Sequence, residues 1–285
     1  MHMINIICVC GAGTMGSGIA QVTALAGYTT IQFDLNSEML QKSKTAIEKN
    51  LQWLVNKGKI TAEAGTQTLG RLVFTDQLTD CVADLVIEAI IEKIAAKTQL
   101  FNQLAAINPA DTIFATNTSS IAVTTLAAQV PHPERVAGMH FFNPAPVMKL
   151  VEVIRAEQTR PEVINTLTRL ATQLGKTAVV CKDAPGFIVN RVARHYYLEA
   201  MKLVADGLAT IETVDAVMEA TGFKMGPFTL MDLIGMDINY GVSQIVWEAL
   251  GKPERLTPSP LQQQKVAAGE LGRKTGKGFY TYEKQ

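Results

Sequence analysis

The feature that most constrains this chain is a strand, a glycine-rich turn and a helix in direct succession near its start. Residues 4–10 (Ile-Asn-Ile-Ile-Cys-Val-Cys) form a short, nearly continuous apolar run stopped by glycine, the pattern of a strand buried on both faces of a parallel sheet. Gly11-Ala-Gly13-Thr14-Met15-Gly16 follows at once, and helical texture runs from about Thr14 to Ala26 before Gly27. In a G-x-G-x-x-G placed this way, the first glycine permits a tight turn and the second lets the backbone approach a pyrophosphate. The third allows close helix–sheet packing, and the amides at the helix start meet phosphate charge. A second strand, Thr29–Phe33, ends on Asp34. A carboxylate there accepts hydrogen bonds from both hydroxyls of an adenosine ribose and repels a 2′-phosphate. Leu35 and Asn36 offer no arginine to receive one, so these residues point to NAD. A cap role explains Asp34 less well, because Asn36 and Ser37 already supply cap candidates.

Beyond this unit the alternation continues. A long polar-faced helix is expected over Ser37–Lys57, with strands at 84–89, 112–116, 135–141 and 148–154. Helices at about 93–106, 121–129 and 161–174 separate several of them. Such alternation predicts a doubly wound, Rossmann-type parallel α/β sheet with helices on both faces. After Val179-Val180 the texture changes. Asp183-Ala-Pro-Gly-Phe breaks the pattern, and 187–206, 211–221 and 228–250 read as helices, followed by a short strand-like Gly278-Phe-Tyr-Thr-Tyr tail. A boundary near 184 therefore divides an NAD-binding domain (1–184) from a smaller all-α domain (185–285). There are no internal repeats.

Composition excludes several function classes. Twenty-six basic and 26 acidic residues cancel, so nothing global recruits nucleic acid or a membrane surface, and an anionic ligand needs a local patch. Cys8, Cys10, Cys81 and Cys181 show no metal-type clustering, and no metal is expected; Cys8 and Cys10 share one strand face and read as core. With no signal-type N-terminus and no apolar run near eighteen residues, the chain is expected to be soluble and cytoplasmic.

Six ordered segments resemble the L-3-hydroxyacyl-CoA dehydrogenase family, especially its bacterial 3-hydroxybutyryl-CoA branch. They are Gly11–Ala20, Val86-Ile-Glu-Ala-Ile-Ile-Glu92, Thr116-Asn-Thr-Ser-Ser120, Gly138–Glu152, Pro185-Gly-Phe-Ile-Val-Asn-Arg191 and Met225-Gly-Pro-Phe228. The resemblance implies an acyl-CoA substrate, a homodimer and chemistry of the kind used in fatty-acid β-oxidation. It also implies that His140 is the catalytic acid/base, with Glu152 as its partner, and that Ser119 and Asn190 bind substrate around the reacting carbon. Glu92, Lys97, Asn143 and Lys274 match positions lining the nicotinamide half of the NAD site. Lys57 and Asn50 match coenzyme A contacts, although some relatives carry serine at the position of Asn50. The chain departs from the family after Arg191, where Val192-Ala-Arg-His-Tyr-Tyr197 replaces an aliphatic, proline-containing stretch. His195, on a different helical face from Asn190, reads as structural or interfacial rather than catalytic.

The residues support the same chemistry. Taking hydride from a secondary alcohol leaves a protonated ketone unless a base removes the hydroxyl proton, and imidazole, with its ordinary pKa of ~6.5, suits that work. Of the four histidines, His2 is terminal and His132 lies between two prolines. His140 alone ends an apolar strand at the edge where ligands of such sheets bind. If the chain reverses over Asn143-Pro-Ala-Pro146 as an antiparallel pair, residue 140 faces Glu152, a carboxylate within the apolar run Leu150–Ile154. A buried carboxylate needs such a partner, and it would fix the imidazole tautomer and stabilise the imidazolium. Ser119 and Asn190 would orient the 3-hydroxyl and thioester carbonyl, although such residues also serve as caps. Lys42, Lys44, Lys49 and Lys59 fit either a solvated face or a phosphate-facing one. Rival readings are a 3-hydroxy-acid dehydrogenase using an interdomain lysine, a relative acting on a free hydroxy or sugar acid, and an inactive NAD-sensing protein. The His140…Glu152 pair argues against the first. Intact His140, Glu152, Ser119 and Asn190 argue against the last.

Overall fold

The computed structural model describes residues 3–283, so His2 lies outside the described residues. Contacts divide the chain into two compact units, the first ending at Ala184 and the second starting at Pro185. No helix among the described residues is long and apolar enough to cross a membrane.

The first unit runs β1 (Ile6–Cys10), α1 (Thr14–Leu25), β2 (Thr29–Phe33), α2 (Ser37–Asn56), α3 (Ala62–Gly70), β3 (Leu72–Thr75) and β4 (Leu85–Glu88). It continues with α4 (Ile94–Ile107), β5 (Ile113–Thr116), α5 (Val123–Ala127), β6 (Val136–Phe141), β7 (Leu150–Arg155), α6 (Pro161–Gln173) and β8 (Thr177–Lys182). The eight strands form one sheet in the order β3-β2-β1-β4-β5-β6-β7-β8. Every pairing is parallel except β6–β7, which is antiparallel as the turn at 143–146 predicts. The central strands are mostly apolar because helices cover both faces, with polar side chains at or near the carboxyl ends of β4, β5 and β6. Ile7, Val9, Leu85, Ile87 and Ile113 join Ile19, Ile47 and Leu167 in one core. Cys8 and Cys10 are fully buried, with their sulfurs 3.8 Å apart.

Three elements here go beyond the sequence expectation. Helix α3 and strands β3 and β8 are additional, and the two strands are the sheet edges. An edge strand needs no continuous apolar run: Val73 is exposed in β3, and no residue of β8 is fully buried.

The second unit contains α7 (Val189–Ala205), α8 (Ile211–Ala220), α9 (Pro227–Ile234), α10 (Met236–Ala249) and α11 (Pro260–Ala267). Phe228, Met231, Met236, Met201 and Tyr197 lie at its core. The single helix expected over 228–250 is two, because Gly235 takes φ 100° between them. The strand expected at 278–282 does not form. That segment makes only isolated bridges, and the Phe279 and Tyr280 amides donate instead to the buried Asp232 carboxylate, each at 2.9 Å.

Candidate active site

Strand order reverses direction at β1 and β4, and ligands of such sheets bind in the crevice beyond the carboxyl ends at that point. Gly11 sits there with φ 110°, and a Cβ on it would lie 2.5 Å from the Ala89 carbonyl oxygen, so only glycine fits. A Cβ on Gly16 would lie 1.9 Å from the Gly11 carbonyl oxygen, which is why helix and turn can pack so closely. Gly13 differs: a Cβ there would meet nothing within 4 Å. The glycine therefore borders open space at the start of α1, a helix with no side-chain cap and no acidic residue in its first turn. Uncapped amides at the positive end of a helix beside open space fit a pyrophosphate. Asp34 closes the cradle. One of its carboxylate oxygens accepts from the Ala12 amide at 2.8 Å and the other from Asn36 at 2.9 Å, leaving it half-buried and aimed along the glycine turn.

The antiparallel β6–β7 register sets His140 opposite Glu152. His140 Nδ1 and Glu152 Oε2 are 2.8 Å apart, and the side chains are 7% and 1% exposed. His140 lies one residue from the carboxyl end of β6, on the edge of the sheet where Gly11 lies. The turn joining the two strands is anchored from two sides. The Lys176 ammonium, its pKa lowered by burial, donates to the carbonyls of Ala145 (2.6 Å) and Met148 (2.9 Å). A Cβ on Gly18 of α1 would come within 3.1 Å of Ala145 and Pro146, so glycine lets the nucleotide helix pack against this turn.

A third cluster ties these parts together. Glu88 ends β4 fully buried, accepting from Lys97 Nζ (2.6 Å), the Ile90 amide (2.7 Å) and the Thr116 hydroxyl (2.7 Å). Burial pushes its carboxyl up from the usual range, against the opposing pull of Lys97 and these donors. Lys97 is also 0% exposed and reaches Glu92 at 3.0 Å. Burial opposes the charge of Glu92, but Lys97 and the hydroxyls of Thr118 and Ser120 outweigh it and hold its carboxyl below the usual range. Glu92 thereby fastens the loop after β5, accepting from Thr118, the Ser119 amide (3.2 Å) and the Ser120 hydroxyl (2.9 Å). The same loop reaches β6, where Asn117 Oδ1 accepts from the Phe141 amide at 2.8 Å.

Comparison with known proteins decides the family. Residues 6–184 match the model of the 3-hydroxyacyl-CoA dehydrogenase NAD-binding domain, and 186–282 match that family's C-terminal domain. The chain belongs to the 3-hydroxyacyl-CoA dehydrogenase family. It is 46% identical to the 3-hydroxyadipyl-CoA dehydrogenase of Escherichia coli over 98% of its own length, although it spans only 60% of that relative. It is 45% identical to a probable 3-hydroxybutyryl-CoA dehydrogenase of Deinococcus radiodurans, covering 96% of this chain and 99% of that one. The solved (S)-3-hydroxybutyryl-CoA dehydrogenase of Ralstonia eutropha superposes with a TM-score of 0.95 at 37% identity, over 99% of this chain and 100% of that one.

Within this NAD-dependent family, the first unit brings together the glycine turn, Asp34, the His140–Glu152 pair and the Glu92-held Ser119 loop. The bond from Ser119 to Glu92 uses its amide, not its hydroxyl. Lys97, expected to line the cofactor, is enclosed by two carboxylates with no exposed surface, so its work is to hold Glu92. Asn143 is exposed in the turn after β6, and Asn50 and Lys57 are exposed on and just after α2. Asn50 donates to Gln21 of α1 at 3.3 Å. Two expected residues belong to the second unit. Asn190 stands in the first turn of α7, where the buried Arg194 donates to its carbonyl at 3.1 Å and to that of Asn239 at 2.8 Å. Lys274 pairs with Asp237 at 2.5 Å, which, against some burial, keeps the Asp237 carboxyl below its usual range. His195 is exposed on α7. Glu88, Thr118 and Lys176 support the site in the first unit and were not singled out from sequence. Only Glu88 carried a signal: like Glu152, it is a carboxylate inside an apolar strand, and so needs a buried partner.

Proposed function

We propose that this protein interconverts a short-chain (S)-3-hydroxyacyl-CoA, in the first place 3-hydroxybutyryl-CoA, and the corresponding 3-oxoacyl-CoA, using NAD. The observation that carries the reading is the buried 2.8 Å contact between His140 Nδ1 and Glu152, at the carboxyl edge of an NAD-binding sheet. Bound NAD supplies the hydride acceptor for oxidation. Glu152 holds the Nδ1 proton of His140, which makes Nε2 the basic nitrogen of the neutral ring. Nε2 then takes the proton of the 3-hydroxyl, and the adjacent carboxylate offsets the charge that develops on the imidazolium. In reduction the same nitrogen returns the proton to the 3-oxo oxygen. Ser119 and Asn190 orient the hydroxyl and thioester carbonyl, as in the family. Asn143 and Lys274 border the nicotinamide half, and Lys57 with Asn50 faces coenzyme A. The protein acts as a homodimer, a reading that rests on the family resemblance.

The test is turnover of acetoacetyl-CoA with NADH, compared with NADPH and with free acetoacetate. Efficient, NADH-selective reduction of the thioester alone is expected, because binding energy from the remote coenzyme A portion supports orientation at the reacting carbon. Comparable efficiency with the free acid would overturn the reading in favour of a free hydroxy-acid substrate. Comparing 3-hydroxybutyryl-CoA with 3-hydroxyadipyl-CoA, the substrates for which two relatives are named, sets the acyl preference.

A further inference from the structure

Helix α2 buries Leu40, Ser43, Ile47 and Leu51 against the sheet. On the flank beside that stripe, Asn50, Trp53 and Lys57 recur three and four residues apart, on successive turns, with Lys49 four residues before Trp53. All four are exposed. Trp53 stands out among them. An indole is one of the largest apolar surfaces a side chain can offer, and Trp53 is 50% exposed, while α2 packs through smaller side chains. The ring contact it makes is with a cation, Lys59 Nζ, 5.0 Å from the ring centroid.

We propose that Trp53 is a binding residue for the adenine of coenzyme A, stacking on the base while Lys57 and Lys59 meet the phosphates of the same molecule. The inference rests on the acyl-CoA reading above and extends it to a residue outside the expected set. The surface presents an exposed indole with the Lys59 ammonium over its ring and the exposed Lys57 four residues further along the chain. Coenzyme A presents the complement, a flat base bordered by a 3′-phosphate and a pyrophosphate. Bases stack on aromatic side chains through their π-faces, and a cation held near an indole adds to such a platform. A protein partner fits this surface poorly, because lysine is depleted at the cores of protein interfaces.

Wild type, Trp53→Ala and Trp53→Phe are compared on two substrates: acetoacetyl-CoA, and the acetoacetyl thioester of pantetheine, which lacks adenosine and its phosphates. Trp53→Ala should raise KM for the CoA thioester about tenfold, within the range measured for base stacking, and that for the pantetheine thioester by less than about twofold. Trp53→Phe should recover most of the loss. Free coenzyme A should quench tryptophan fluorescence in wild type but not in Trp53→Ala, which retains Trp247. Equal KM changes on both thioesters, no change on either, or quenching that survives in Trp53→Ala would each overturn the stacking role. Wild type that turns over neither thioester would overturn the acyl-CoA reading itself, a different outcome from an active wild type with an indifferent Trp53→Ala.

Discussion

Replacing Lys97 by Met removes the only cation that Glu88 and Glu92 share among their described contacts and leaves two carboxylates around an apolar side chain of similar length. Breaking a buried ion pair from one side costs about 3–5 kcal/mol. The two carboxylates do not share that cost equally. Glu88 has no exposed surface, whereas Glu92 is 37% exposed and its charge is screened by water. The lower end, about 3 kcal/mol, is therefore expected, and at 2–4 °C per kcal/mol the melting temperature should fall by roughly 6–12 °C. The loss should depend on pH. Burial already raises the Glu88 carboxyl, and removing Lys97 raises it further and takes away the largest of the interactions that hold Glu92 low. A carboxylate raised in the folded state favours folding when protonated, and that advantage is lost as pH rises through its folded pKa. The deficit of the variant should therefore be largest at neutral pH and shrink as pH falls toward the ordinary carboxylate range of about 4. Adding Glu88→Gln, which keeps an acceptor for the Ile90 amide and offers an N–H donor to the Thr116 hydroxyl, should restore most of the stability. Thermal denaturation at neutral and mildly acidic pH, on the single and double variants, measures all of this. A Lys97→Met protein that melts within about 2 °C of wild type at neutral pH, with no pH dependence of the difference, would refute the argument that Lys97 compensates these charges.

Further predictions concern the chemistry and the cofactor. His140→Gln should lower kcat by roughly 10²–10⁴, Glu152→Gln should also lower it, and the double variant should be little worse than the worse single, because the two serve one proton transfer. Multiplicative losses in steady-state kinetics would show that they act independently. Gly13→Ala should fold normally yet bind NAD more weakly, since its Cβ enters open space at the phosphate end of α1, whereas Gly16→Ala should lose stability, its Cβ colliding with Gly11. Calorimetric NAD titration and melting curves separate the two, and a stable, weakly binding Gly16→Ala would contradict the packing argument.

Much of the fold was legible because its main parts are local. The run Ile6–Cys10, the glycine turn and Asp34 lie within one strand-helix-strand unit, and the contact that demands glycine at Gly16 is with Gly11 of the same turn, whereas the Ala89 carbonyl that crowds Gly11 comes from just beyond β4. The His140–Glu152 pairing was legible for a related reason: a short antiparallel connection converts sequence spacing into register. What only tertiary structure decided lies where partners are far apart in sequence or where burial is partial. Strands β3 and β8 are sheet edges, and half-exposed edges leave no run or alternation to read. Glu88, Lys97, Glu92 and Thr118 come from a strand end, a helix and two loops, and nothing in their spacing announces that one ammonium serves two carboxylates and, through Glu92, holds the Ser119 loop. Trp53 has a helical position that sequence supplies, but only packing showed that its ring stays outside the core, beside Lys59. Local periodicity decides which elements form, and the docking of those elements decides which charges and rings are left to meet a ligand.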